Sequence, residues 1–335
     1  MQIIDQHFRV IPDSSELTWD HCGSFCYESK IHQIAFLLRQ QTIPANKILL
    51  ISKYPDNIGS INQSDADLVI LNCSDHPVAY FQTDHITKPV VVLHWDFSHT
   101  SYHPYHLIYS NIVSRHDVVD LVSSRKYSVS CVNGKPRVSR IYNILKLTEY
   151  DFYNEVFVTW RQITETNPVP DWDLKEISMS DLSQEQWQRF WKLQTSLPNT
   201  PILTEELACA SIGPGFTDAY LNLVTESSCE TDGFLTEKIY KPLRAGQLFI
   251  VQAPPGTIAY LRSLGFDVFD DYIDHSYDQI SDWRDRVDSS LEALSKIYNN
   301  IEHIWYATTD RRIHNQQIIA SDALTLRIPG ICINT

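Results

Sequence analysis

The chain has 335 residues, 43% hydrophobic and 20% charged, which suits a folded protein of about two ordinary domains and excludes a disordered one. Its formal net charge of −14 opposes nonspecific binding to nucleic acid or anionic lipid. No apolar run reaches the roughly eighteen residues that a membrane-spanning helix requires.

Residues 1–7 lack a basic segment followed by an apolar stretch, so no signal peptide is read and a cytoplasmic chain is expected. Seven cysteines lie at 22, 26, 73, 131, 209, 229 and 332; an odd count without a repeating spacing points to reduced thiols rather than a disulfide framework. Cys22 and Cys26 would make half of a zinc site, but no second pair of ligands follows at suitable spacing. Residues 31–41 carry the apolar rhythm of a covering helix. Apolar runs at 47–52, 67–71 and 90–94 predict buried strands, unbroken by polar alternation as in a parallel sheet covered on both faces.

A second set of strands is predicted at 127–131, 156–160, 221–225 and 248–251. Helices are predicted at 184–193 and at 258–264, the second stopped by Gly265. Pro168 and Pro170 mark a loop, and residues 301–323 read as helical. The expected fold class is therefore α/β, with two Rossmann-like domains facing across a cleft. The domains are 1–120, 121–300, and a C-terminal helical segment 301–335 that crosses back to the first. Open parallel sheets bind ligands at the carboxyl ends of their strands.

The charge is uneven along the chain. Residues 125–146 hold six basic side chains (Arg125, Lys126, Lys135, Arg137, Arg140, Lys146) and no acidic one, whereas 267–285 hold seven aspartates and one arginine. A positive island in an acidic chain predicts a bound anion; its alternative is a solvated basic helix face. Glycine is scarce, ten in all, yet Gly233, Gly246, Gly256 and Gly265 fall within 33 residues. In the same stretch Thr236 is placed to cap a helix whose first turn holds Glu237 and Lys238. Such a helix start offers free N–H groups and partial positive charge to an anion. Taken alone, Thr-Glu-Lys is equally an ordinary capped helix with a solvated ion pair.

The run Asp232-Gly233-Phe234-Leu235-Thr236-Glu237-Lys238-Ile239, after a strand ending in Thr225-Glu226-Ser227-Ser228, resembles the donor-binding motif of the family 10 glycosyltransferases, the α-1,3-fucosyltransferases. The resemblance covers about 45 residues well and extends weakly back to residue 125. It implies the GT-B architecture, with 1–120 the acceptor-side domain and 121–300 the nucleotide-sugar domain. It also implies roles: Glu226 and Thr236 line the donor site, Glu237 accepts from ribose or sugar hydroxyls, and Lys238 pairs with the diphosphate. Phe234 stands where the family often has Tyr, which removes a phenolic hydrogen bond and leaves the donor sugar open. Asn133, Arg137 and Arg140 match the family's first strand-turn-helix, where an Arg reaches the diphosphate in bidentate fashion.

An inverting transfer requires a general base for the acceptor hydroxyl. The family's carboxylate follows a first-domain strand; Asp96, beyond the run 90–94, takes that place, one methylene shorter than the family's Glu. His94 competes with it, and Asp75-His76 and Asp84-His85 are further acid–histidine neighbours. A metal-dependent transferase needs Asp-x-Asp after a strand. Asp65-Ala66-Asp67 precedes its strand and Asp171-Trp172-Asp173 lies in the Pro-rich loop, so no metal and no cofactor are expected beyond the nucleoside-diphosphate sugar, GDP-linked and carrying fucose if the resemblance holds. The expected function is hexosyl or pentosyl transfer to a hydroxyl acceptor, a glycan. Two alternatives stand: transfer to a hydroxymethylated base in DNA, which the acidic balance disfavours, and a non-catalytic sugar- or nucleotide-binding protein of the same fold.

Overall fold

In the computed structural model the described residues are 2–5, 45–51, 58–72, 86–94, 103–104, 123–134, 137–160, 182–198, 212–227, 229 and 235–321. The chain divides into two compact units, one of Met1–Asn111, Thr204–Ala208 and Leu324–Thr335, the other of Ile112–Leu203 and Cys209–Ala323. Both are α/β with parallel sheets.

The first unit holds a five-stranded parallel sheet in sequence order: β1 (Gln2–Asp5), β2 (Lys47–Ile51), β3 (Leu68–Asn72), β4 (Val90–His94) and β5 (His103–Pro104). β2–β4 are the strands expected from apolar runs; β1 and β5 are too short and too mixed in composition to stand out. Ile48 to Ile51 are all buried, as a strand covered on both faces must be. Leu49, Ile51, Val69 and Leu71 pack with Ile61 of α1 (Ile58–Gln63) and with Ala66. Asp67 accepts from the backbone N–H of Asn46 and Lys47 at 2.7 and 2.9 Å, and Asp65 pairs with Lys47 Nζ at 2.6 Å. This Asp-x-Asp thus closes the amino ends of β2 and β3. Asp171 and Asp173, the helix expected at 31–41, and Cys22, Cys26, Asp75-His76 and Asp84-His85 lie outside the described residues.

The second unit contains β6 (Tyr127–Val132), β7 (Phe157–Thr159), β8 (Ala219–Thr225) and β9 (Leu248–Gln252), all parallel, in the order β7-β6-β8-β9. Along the chain come α2 (Val138–Leu147), α3 (Gln184–Gln194), α4 (Pro214–Thr217), α5 (Glu237–Ala245), α6 (Thr257–Ser263), α7 (Trp283–Ile297), α8 (Ile301–Ala307) and α9 (Thr309–Ala320). α2 packs with α3 and α7, while α5 packs with α4 and α9. Two right-handed crossovers running to opposite edges of a sheet put their helices on opposite faces, and these are the two groups.

Local chemistry starts and stops these helices, at Thr236 and Gly265 as the sequence predicts and at Ser183 in addition. The Thr236 hydroxyl caps α5, the Ser183 hydroxyl and Gln186 side chain form a capping box on α3, and Gly265 at φ 90° follows α6. Among the described residues, the acidic run 267–285 is split among local roles, with only Asp267 and Asp271 sharing a partner, Arg311. Asp282 caps α7, Asp278 accepts from the N–H of Ile258 at 3.1 Å at the start of α6, Asp270 pairs with Arg262 at 2.6 Å, and Asp267 pairs with Arg311 at 2.6 Å. α8 lies against β8 and α9 against α5. The buried Arg312 holds α9 there, donating to Trp305 O at 3.0 Å and Gly246 O at 3.0 Å, with its guanidinium 3.6 Å from the Trp305 ring centroid.

Candidate functional site

The order β7-β6-β8-β9 creates a break in the winding. The chain leaves β6 toward β7 at one edge and leaves β8 toward β9 at the other, so the carboxyl ends of the adjacent strands β6 and β8 open a crevice. Asn133 follows β6 there, and Thr225, Glu226 and Ser227 end β8. A hydrogen bond from Thr225 Oγ1 to Asn133 Oδ1 at 2.8 Å ties the two strand ends together. The N-termini of α5 and α2 complete the same end, bringing Thr236, Glu237, Lys238, Arg137 and Arg140 to it.

Glu226 is fully buried. Its carboxylate accepts from Thr236 Oγ1 at 2.7 Å, from Thr236 N–H at 3.2 Å and from Ser227 N–H at 3.3 Å. Burial pushes this carboxyl up, against the pull of Lys238. Thr236 Oγ1 in turn accepts from Lys238 Nζ at 2.9 Å, and the ammonium also donates to Ser227 Oγ at 3.1 Å and Glu237 Oε1 at 3.0 Å. The Glu237 and Lys238 side chains are 14% and 25% exposed, so they form the accessible part of the cluster. Burial works to raise the Glu237 carboxyl, but Lys238 and Lys241 outweigh it and hold it down at about 2.

The basic island is dispersed by the fold. Arg125 and Lys126 precede β6 at the opposite end of the sheet; Arg125 donates to Thr217 O, and Lys126 sits 4.8 Å from the Tyr127 ring. Lys146, at the far end of α2, pairs with Glu149 at 2.8 Å. Arg137 and Arg140 are the two at the carboxyl end, with Arg137 half-buried at the N-cap of α2. Arg140 is buried and donates to Thr225 O at 3.2 Å; burial draws its pKa down while Glu226 opposes that. Lys135, Phe234 and Asp96 lie outside the described residues, and β4 ends at His94.

Two members of the cluster escaped the sequence. Ser227 was seen only as part of a strand end. Lys241 is buried one turn below Glu237, 5.5 Å from the Phe216 ring, and its i,i+4 spacing from Glu237 was the available signal. Burial raises the nearby thiols Cys131 and Cys229 to about 11, which disfavours their thiolate forms.

No family model matches the sequence, and no curated protein matches it. Among solved structures the chain is similar to the DNA-modifying enzyme β-glucosyltransferase, determined with and without its substrate uridine diphosphoglucose, at 11% identity over 82% of each chain and a TM-score of 0.35. It is also similar to the catalytic domain of starch synthase IV from Arabidopsis thaliana bound to ADP and acarbose, at 10% identity over 83% of this chain and 67% of the other, with a TM-score of 0.34. Overlaps of this size leave the assignment to the chain's own residues.

Proposed function

We propose that this chain is a glycosyltransferase of the GT-B class that binds the diphosphate of a nucleotide sugar at the carboxyl ends of β6 and β8. The observation that carries this reading is the start of α5. A Thr-capped helix places Lys238 and its first free N–H groups beside the strand end Glu226-Ser227, in the crevice between β6 and β8. The resemblance to the donor motif of α-1,3-fucosyltransferases supports the same residues.

Lys238, Arg137 and the helix N–H groups supply preorganised positive charge for the diphosphate, which bears the developing negative charge as the sugar departs. Glu237, ionised throughout the neutral range, accepts from donor hydroxyls. Arg140 and Glu226, both buried, act on the donor through their neighbours. Transfer inverts the anomeric carbon, with Asp96 taking the proton of the acceptor hydroxyl. No metal is needed to neutralise the diphosphate. GDP-fucose as donor and a glycan as acceptor are the finer assignment from the resemblance. For Asp96, the test is Asp96→Asn, which retains donor affinity and lowers transfer by about 10²–10⁴.

The decisive experiment is a thermal-stability screen of nucleoside diphosphates and their sugars, followed by transfer assays on glycans and on DNA carrying a hydroxymethylated base. A ligand at 100 times its dissociation constant adds about 2.7 kcal/mol and raises the midpoint measurably. If no nucleoside diphosphate shifts the midpoint at millimolar concentration, the reading fails. Stabilisation without transfer or donor hydrolysis leaves a binding protein on this fold.

A further inference from the structure

We infer that Glu226 is a positioning residue: acting through the Thr236 hydroxyl, it sets the place and orientation of the Lys238 ammonium and touches no ligand itself. Its consequence for donor binding rests on the function proposed above; the positioning rests on geometry alone.

Glu226 is sealed from solvent, so no ligand reaches it. Each of its three hydrogen bonds is accepted, from Thr236 O–H, Thr236 N–H and Ser227 N–H. The Oε2 oxygen accepts two of the three and Oε1 the third, so both oxygens serve as acceptors. The 2.7 Å bond fixes where the Thr236 proton points, toward Glu226. The oxygen's lone pairs are thereby left for Lys238, whose backbone N–H lies at 3.5 Å and whose Nζ lies at 2.9 Å. A threonine hydroxyl without that carboxylate rotates, and in other rotamers it aims its proton at the ammonium.

The ammonium's three partners differ in kind. Thr236 is buried in the α5 cap and Ser227 follows the end of β8 as a neutral hydroxyl, whereas Glu237 is a carboxylate, and both Ser227 and Glu237 are half-buried. The Thr236 acceptor is the buried one of the three, so an incoming phosphate oxygen, which competes most directly with the like-charged Glu237 carboxylate, leaves it in place. Glu226 is what keeps the Thr236 acceptor available.

Glu226→Gln tests this with little change of shape. Its amide N–H₂ faces either the Thr236 hydroxyl, which must then accept instead of donate, or the Thr236 N–H, which then meets another donor. The first orientation turns the hydroxyl proton away from Glu226, and the second keeps that bond but loses the one that seats the Thr236 backbone, so each loosens the mount. The readout is the rate at which acetic anhydride labels Lys238, measured by peptide mass spectrometry against Lys146, Lys192 and Lys296 in the same sample, with no donor present. Loss of one charge-assisted acceptor predicts a rise of about three- to tenfold at Lys238 alone. Thr236→Val gives the same rise, Thr236→Ser restores the wild-type rate, and the double variant Glu226→Gln/Thr236→Val rises no further, because both act through one hydroxyl. An unchanged rate in Glu226→Gln, rises that add in the double variant, or a parallel rise at all lysines overturns the inference. Because labelling uses no nucleotide, failure of every nucleoside diphosphate to bind removes the proposed function and leaves this result standing.

Discussion

Replacing Lys238 by Ala tests the donor site at the point where its geometry is best defined. The wild-type ammonium has three protein acceptors at 2.9–3.1 Å, so a diphosphate must displace one of them. The Glu237 carboxylate, with 14% of its side chain exposed, is the charged partner that a phosphate competes with most directly. A half-buried pair of this kind lies above the roughly 0–1 kcal/mol of a surface pair, whereas a charge-assisted bond to phosphate is worth about 1.5–3 kcal/mol. The net contribution is about 0.5–2 kcal/mol, so Lys238→Ala weakens nucleoside-diphosphate binding by about two- to thirtyfold. Removing the ammonium also leaves the Glu237 carboxylate neutralised by Lys241 alone, which adds repulsion toward an anion. Calorimetric titration with GDP and UDP, and with the free nucleosides as controls, measures the effect. The loss appears with the diphosphates, is absent with the nucleosides, and shrinks as salt is raised. A folded Lys238→Ala protein with unchanged diphosphate affinity, or with equal losses for nucleoside and diphosphate, refutes the assignment.

The β6 end is sensitive to overpacking from α4: a Cβ at Gly215 would overlap Val132 Cγ2, a stiff β-branched methyl one residue before Asn133. Gly215→Ala therefore costs about 1–3 kcal/mol in thermal or denaturant unfolding, while Gly134→Ala, with open space around its Cβ, stays within about 0.5 kcal/mol. The Glu237 carboxyl is held at about 2 against an ordinary value of 4.5, so its stabilisation is present above that ordinary value and is lost as pH falls through about 2. At most roughly 3 kcal/mol is involved, and Glu237→Gln flattens the acid limb of stability against pH; an unchanged limb contradicts the Lys238 and Lys241 pairing. Transfer continues in excess EDTA, since lysine and arginine neutralise the diphosphate; abolition reversed only by Mg²⁺ or Mn²⁺ overturns the metal-free mechanism.

Much of the second unit was legible in the sequence because the relevant physics is local. Apolar runs of four to six residues mark strands wherever both faces are covered, and β6 to β9 begin and end within two residues of those runs. Thr236 followed by Glu237 and Lys238 announces a capped helix within a single turn. Charge was a poorer guide. The runs 125–146 and 267–285 are each a single feature along the sequence, yet the fold distributes their members over opposite ends of a sheet and over several helix starts. Whether a charge is a ligand contact, a cap or an ion pair depends on which distant group it meets.

The sequence by itself determined the α/β class, the positions of β2–β4 and β6–β9, and the capped helix start that carries Lys238, because each is decided by side chains within one strand or one turn. Only the tertiary structure decided that β6 and β8 are neighbours, that Arg140 and Glu226 are interior while Arg137 and Lys238 face outward, and that Asn133 meets Thr225. Those two residues are 92 positions apart, and their contact exists because β8 pairs beside β6 rather than beside β7, a choice made by packing across the whole sheet.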